Sequence, residues 1–233
     1  MQKIVLIGGG EIGRGNTQYE TEKIDKEIVR MTEKSNPIFL FIGLASSYSD
    51  SYYNTIKKIY QNLGCTTLYL KKKNLENNIS LAKQKIGDAD IIYIGGGDTI
   101  KLSKEVTDYE LVSSLRDALE RGSVLVGYSA GAILLSNMGF SDSKILRGES
   151  EHYEMIKGLR FTDIIICPHY HKEDKKTQEL QDEIKKHKLE VYGLENKTAV
   201  KIVNNKVGFI RESNDNNIYL CTYDKKFREK ILK

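Results

Sequence analysis

Ser123-Val124-Leu125-Val126-Gly127-Tyr128-Ser129-Ala130-Gly131-Ala132-Ile133-Leu134-Leu135 joins an apolar strand-like run to an apolar helix-like run through a turn of small residues. At the junction stands Gly127-Tyr128-Ser129-Ala130-Gly131, a G-x-S-x-G pattern of the kind that holds a nucleophile on a sharp strand-to-helix elbow. A sharp turn leaves the serine hydroxyl in the open, and small neighbours let the backbone turn without a clash. The Ala130 amide, at a helix N-terminus, then faces the place where an oxyanion develops. A strand followed at once by a helix also predicts a βαβ architecture, so the rest of the chain is read for the same alternation.

That alternation is present. Short apolar runs at Lys3 to Ile7, Pro37 to Ile42, Thr66 to Leu70, Asp90 to Ile94, Ser123 to Gly127, Asp163 to Cys167 and Glu190 to Gly193 read as strands. Amphipathic segments at Thr17 to Glu33, Ser51 to Asn62, Asn78 to Ile86, Thr99 to Thr107, Glu110 to Arg121, Ala130 to Ser136 and Lys175 to His187 read as helices. Near-continuous Ile, Val and Leu in the strands predicts burial on both faces, hence a mostly parallel sheet between helix layers. From Ala199 to Cys221 the period changes to alternation with Asn-rich turns, which predicts a C-terminal antiparallel extension. No linker, repeat or low-complexity stretch divides the chain, so residues 1–233 are expected to form a single domain.

In such sheets ligands bind at the carboxyl ends of the parallel strands. A serine needs a base to take its proton, and the chain has 4 histidines. His152 and His187 lie in highly polar segments and read as solvated. His169 and His171 follow the apolar Ile164-Ile165-Ile166-Cys167, on the same sheet edge as Ser129 if the strands are parallel, and one of them is expected to be the base. A Cys167, His169 and His171 metal set is the competing reading, against which Pro168 interrupts the strand and no fourth ligand is evident. A carboxylate should orient the imidazole. Glu195, at the end of the strand after that, lands on the same edge, whereas Asp142, Glu149, Glu151 and Asp163 lie in polar loops or at a strand start. The order Ser129, His169, Glu195 differs from the serine, acid, histidine order of α/β-hydrolases.

Two glycine runs also end strands. Gly8-Gly9-Gly10-Glu11-Ile12-Gly13 satisfies G-x-G-x-x-G, but the acidic residue expected about 20 residues on, at the end of the second strand, is missing from Ile42-Gly43-Leu44-Ala45-Ser46-Ser47. The run is therefore read as a tight turn that lets the chain pass near the site, with nucleotide binding as a minor alternative. Gly95-Gly96-Gly97, before Asp98 and Thr99, exposes amides that suit an oxyanion hole, or forms a capped helix start.

Composition bounds the partners. The chain of 233 residues carries 36 Lys+Arg against 32 Asp+Glu, a net charge of +4, with 39% hydrophobic residues and 2 Pro, which fits a folded globular protein and excludes a disordered or collagen-like one. Its 3 cysteines, odd in number and widely spaced, suit reduced thiols and hence a cytoplasmic location. The first apolar run is too short for a signal peptide or a membrane span. The lysine groups, Lys71-Lys72-Lys73 among them, lack aromatic-basic reading motifs, so no nucleic-acid partner is expected.

Ile94-Gly95-Gly96-Gly97-Asp98-Thr99, Gly127-Tyr128-Ser129-Ala130-Gly131-Ala132, Pro168-His169-Tyr170 and Gly193-Leu194-Glu195, in that order, resemble the peptidase E family of aspartyl dipeptidases. The resemblance spans Lys3 to Val203. It implies an α/β fold with a three-layer, mostly parallel sheet flanked by helices, flavodoxin-like and similar to class I glutamine amidotransferases, with serine at the elbow. It also implies Ser129 as nucleophile, His169 as base and Glu195 as orienting acid. The oxyanion hole would be formed by the amides of Ala130 and of Gly96 or Gly97, with Asp98 and Thr99 at substrate contacts. The activity implied is hydrolysis of dipeptides or small peptides with an N-terminal aspartate, through an acyl-enzyme and without metal or other cofactor, by a monomer or homodimer. Two residues depart from the pattern: Asp98 stands where peptidase E relatives often have Asn, and Cys167 where many relatives have Asp or Asn. An aspartate side chain calls for a cation, for which Arg14, Arg147, Arg160 and Lys172 are candidates. Lys172 and Arg160 are favoured because they flank the His169 strand. The alternatives are a cyanophycinase-like or isoaspartyl hydrolase and a non-catalytic small-molecule-binding module.

Overall fold

The computed structural model describes residues 1–47 and 49–233. In chain order its elements are β1 (Lys3–Ile7), α1 (Glu22–Arg30), β2 (Ile38–Ile42), α2 (Ser49–Asn62), β3 (Thr66–Leu70), α3 (Lys72–Asn77), α4 (Ile79–Asp88), β4 (Ile91–Ile94), α5 (Thr99–Asp108) and α6 (Leu111–Arg121). There follow β5 (Val124–Tyr128), α7 (Ala130–Leu135), β6 (Met138–Ser141), α8 (Ser143–Leu146), β7 (Glu154–Lys157), β8 (Ile165–Pro168), α9 (Asp174–His187), β9 (Val191–Leu194), β10 (Thr198–Val203), β11 (Lys206–Arg211), β12 (Ile218–Asp224) and β13 (Lys226–Leu232).

The described strands form two sheets, not the one expected. The larger has the order β11-β10-β1-β5-β4-β2-β3; β1, β5, β4, β2 and β3 run parallel, and β10 and β11 add on antiparallel. This is the mostly parallel sheet with antiparallel C-terminal strands that the hydrophobic pattern predicts. Its burial follows the two-residue period of a strand. Ile4 and Leu6 of β1 enter one apolar cluster, with Leu102, Leu115 and Leu134 of the helices on that side. Val5 and Ile7 enter another, with Ile24, Ile28, Ile56 and Tyr60 of α1 and α2. Both faces are therefore covered.

The smaller sheet has the order β13-β12-β9-β8-β6-β7. It collects β8 and β9, which the sequence suggests as members of the main sheet, and pairs β8 in parallel with both β9 and β6. Gly139 lets β6 lie against α7, since a Cβ there would come 2.5 Å from Ile133 Cγ1. Every residue of α7 is buried, and residues of both sheets, such as Leu125 and Ile166, share one apolar cluster with Ile133 and Leu134. The elbow helix is thus the shared layer between the sheets. On the far side, Leu180 and Ile184 of α9 pack with Phe140, Cys167, Val191 and Cys221.

The segment expected to be helical from Thr17 is a loop up to Thr21, closed by a bridge between Ile12 and Tyr19. Its end is anchored on Asp25, which is fully buried and accepts hydrogen bonds from Thr21 Oγ1 at 2.8 Å, Tyr19 at 2.9 Å and Tyr60 at 2.7 Å. Burial raises the Asp25 pKa to about 6, and the three hydroxyl donors oppose that rise. The polar stretch from Arg147 to Lys157 contains β7.

Because Leu134 is 0% exposed between the sheets, Leu134→Ala is expected to lower the unfolding free energy by about 2–5 kcal/mol. Urea unfolding of the two proteins checks this; a loss below about 1 kcal/mol would mean that α7 is not a packed layer.

Candidate active site

Ser129 sits between β5 and α7 with φ 50° and ψ −106°. A non-glycine residue held there costs about 1–3 kcal/mol, which the surroundings must sustain. They do so through close backbone packing: a Cβ on Gly127 would lie 2.3 Å from the Gly131 carbonyl oxygen, and one on Gly131 2.2 Å from that of Ile94. The Ser129 amide donates to the Ile7 carbonyl at 3.0 Å, and its own carbonyl accepts from Ile133 at 3.0 Å, which starts the helix. The G-x-S-x-G reading therefore holds in its structural detail.

His169 follows the last residue of β8, also with positive φ, 52°. Its amide donates to the Gly8 carbonyl at 2.9 Å. Nε2 lies 2.9 Å from Ser129 Oγ, and Nδ1 lies 2.7 Å from Asn196 Oδ1. Gly9, with φ +144°, makes room for this arrangement: a Cβ there would be 2.3 Å from His169 Cε1 and 2.4 Å from Asn196 Oδ1. Burial lowers the His169 pKa to about 4, with Lys176 and Lys172 pushing in the same direction and the Asn196 hydrogen bond and Asp142 opposing. The imidazole is neutral at pH 7. His171 lies elsewhere, its ring tilted 44° against that of Tyr170 and its Nε2 3.3 Å from Glu229 Oε1. Of the two histidines, His169 is the one beside Ser129.

Glu195, expected to orient the base, does not reach it. Its Oε2 accepts from the Asn217 amide at 2.7 Å and its Oε1 from the Tyr219 hydroxyl at 3.1 Å. The reason lies in strand geometry. Successive side chains point to opposite sides as the chain leaves β9, so when Glu195 faces β12 its neighbour Asn196 faces His169. The sequence signal is adjacent: a polar, uncharged residue one position further on.

Ser129 and His169 line a cleft of about 290 Å³ together with Gly96, Gly97, Arg14 and Lys172. Gly96 lies against the serine, a Cβ there coming 3.5 Å from Ser129 Cβ. Other expected contacts point elsewhere. Asp98 caps α5, its Oδ1 accepting from the amides of Ile100 at 2.9 Å and Lys101 at 3.1 Å. Thr99 is 1% exposed and is bonded to Ser143 and Ser141. Arg160 pairs with Asp163 at 2.7 Å beside a different cavity, and Arg147 pairs with Glu149 at 2.8 Å. Of the four candidate cations, Arg14 and Lys172 border the cleft, with the Arg14 guanidinium 5.3 Å from the Tyr52 ring centre. Arg14 rides on the loop that contains the first glycine run. That run opens no helix, since α1 begins only at Glu22, so the helix N-terminus that a dinucleotide fingerprint needs is missing. Instead Gly10 accepts a hydrogen bond from the Tyr128 hydroxyl and thereby ties the loop to the elbow. Among the described residues no three His, Cys, Asp or Glu side chains converge as metal ligands, and no helix is long and apolar enough to cross a membrane.

Comparisons with known proteins bear on the family and the fold. The family model of peptidase family S51 matches residues 4–210. An "Uncharacterized peptidase YgaJ" of Bacillus subtilis is 28% identical over 172 residues, 73% of this chain and 69% of that protein. A Drosophila melanogaster protein named "Probable alpha-aspartyl dipeptidase" is 25% identical over 184 residues, 75% of this chain and 73% of that protein. The crystal structure of a peptidase from an acI-B1 actinobacterium superposes with a TM-score of 0.72 at 20% identity, covering 100% of this chain and 94% of that one, and so shares the fold.

The tight seat of the imidazole on Gly9 gives a direct test. Gly9→Ala is expected to displace His169 and to slow labelling of Ser129 by a fluorophosphonate about 10²-fold, the scale of a 1 Å misplacement. Unchanged labelling would mean that the imidazole does not need this seat.

Proposed function

The chain belongs to peptidase family S51, and on that premise we propose that it is a serine peptidase that cleaves small peptides behind an N-terminal aspartate. The observation that carries the reading is the 2.9 Å approach of Ser129 Oγ to His169 Nε2 at a strained elbow. In the proposed reaction Ser129 attacks the peptide carbonyl while His169 Nε2 takes its proton. Negative charge develops on the carbonyl oxygen, and the amides of Ala130 and of Gly97 or Gly96 donate to it. His169 then hands its proton to the departing amine, and water, activated by the same imidazole, releases the acyl group. Neutrality of His169 in the resting site suits the first step, because an imidazole already protonated has no lone pair to offer.

The preference for aspartate is supported by the two cations at the cleft and by the name of the Drosophila relative. Arg14 and Lys172 suit a substrate carboxylate; Glu11 and Asp142, also at the cleft, suit the free α-amino group. An arginine offers a bidentate fork to a carboxylate, and Arg14 forms no salt bridge among the described residues. It is the better candidate for the side-chain pocket.

Hydrolysis of Asp-p-nitroanilide, with Ala, Glu and β-aspartyl analogues alongside, tests the reading. Ser129→Ala is expected to lower kcat by at least about 10³-fold. Arg14→Ala should raise KM for the Asp substrate about tenfold, a loss on the scale of one charge-assisted hydrogen bond, while Arg160→Ala should leave it unchanged. Turnover of the β-aspartyl analogue alone would move the protein to isoaspartyl hydrolysis, and full activity of Ser129→Ala would remove the serine mechanism.

A further inference from the structure

The partner of the His169 Nδ1 atom is an amide, and this has chemical consequences. In a serine, histidine, acid arrangement the third group does two things: it holds the imidazole in the tautomer whose Nε2 is free to accept, and its negative charge stabilises the imidazolium that forms. Asn196 Oδ1, 2.7 Å from Nδ1, accepts an N–H there and so performs the first task. Being uncharged, it cannot perform the second.

The charged groups around the imidazole do not make up for this. Lys176 of α9 is 5% exposed and donates to the Pro168 carbonyl at 2.7 Å, one residue before the base. Lys172 lies on the same loop as His169, and both lysines disfavour the imidazolium. Asp142, between β6 and α8, is the one carboxylate among the groups that shift His169 most. Glu11 lies further round the cleft. Glu195 faces Asn217 and Tyr219. Gly9 and the elbow bring no charge.

We propose that Asn196 is the positioning residue of His169, that it fixes the imidazole tautomer without stabilising its cation, and that a carboxylate at position 196 would speed acylation. The inference rests on the Ser129–His169 reading above. Aspartate has the shape and reach of asparagine, so Asn196→Asp places an anion where the amide oxygen now sits, beside a side chain whose room is set by Gly9. With the anion in place, Ser129 gives its proton to a stronger base, and the bonds made and broken in the reaction are the same.

The experiment pairs kinetics with a readout that needs no substrate. In protein carrying ¹⁵N-labelled histidine, the His169 imidazole is titrated by NMR in wild type, Asn196→Asp, Asn196→Ala and Glu195→Gln, and kcat/KM for Asp-p-nitroanilide is measured against pH in the same proteins. Asn196→Asp should raise the imidazole titration by about one pH unit or more, the usual effect of an adjacent opposite charge. The acid limb of kcat/KM should move with it, and the rate at pH 7 should rise about fivefold or more, in line with Brønsted behaviour of the base. Asn196→Ala should leave the two neutral tautomers mixed and lower kcat about tenfold or more with little change in KM. An imidazole titration that ignores both Asn196 variants, or that follows Glu195→Gln instead, overturns the proposal. If no substrate is turned over, the titration and the tautomer signals still decide the role of Asn196, and only the peptidase reading is lost.

Discussion

Three consecutive carbonyls at the end of β1 hold the site together. Ile7 receives the amide of Ser129 at 3.0 Å, Gly8 that of His169 at 2.9 Å, and Gly9 that of Lys197, next to Asn196, at 2.9 Å. The three chemical side chains come from different loops, widely separated in the sequence, yet each hangs from the same short stretch of backbone. Gly8 and Gly9 are needed there because the approach is so close: a Cβ on Gly8 would lie 2.6 Å from Leu194 Cβ, and one on Gly9 would strike the imidazole. The glycine run that mimics a nucleotide fingerprint is, in this fold, the hinge on which the Ser129 and His169 loops meet.

The rest of the molecule keeps that stretch in place. β1 is an interior strand of the larger sheet, with β5 parallel on one side and β10 antiparallel on the other, and its five residues are all buried, Ile4 to Ile7 completely. α7 lies between the two sheets, so the strain at Ser129 is opposed by apolar packing on both sides of the helix. The smaller sheet delivers His169 from β8 and Asn196 from the end of β9. Neither sheet alone carries both halves of the site, and the contact between them through α7 is what brings Ser129 and His169 within hydrogen-bond distance.

Much of this was legible in the residues. Lys3 to Ile7 and Thr66 to Leu70 are strands with the limits their apolar runs suggest, and the serine elbow and the choice of His169 or His171 followed from small residues and strand ends. What escaped depends on long-range pairing. β6 and β7 are short and mixed in character, and β13, Lys-Phe-Arg-Glu-Lys-Ile-Leu, is mostly exposed and charged, so only its pairing with β12 makes it a strand. The division into two sheets likewise depends on which strands meet, which periodicity does not encode. At the site the error was of one residue. Glu195 is the chemically obvious partner for a histidine, and a one-position change of facing at the end of β9 gives that place to Asn196. Arg160 flanks the His169 strand in sequence but lies at its far end in space, with Asp163, whereas Arg14 comes into the cleft through a loop whose course no local pattern fixes.

In the proposed mechanism Ser129 becomes covalently acylated during turnover. Acid-quenching the enzyme within milliseconds of mixing with an aspartyl p-nitrophenyl ester, followed by peptide mapping by mass spectrometry, tests it most directly. An added aspartyl mass is expected on the peptide containing Ser129, absent in Ser129→Ala and reduced in His169→Ala. Turnover with no acyl mass on that peptide, or with the mass on another residue, would contradict it.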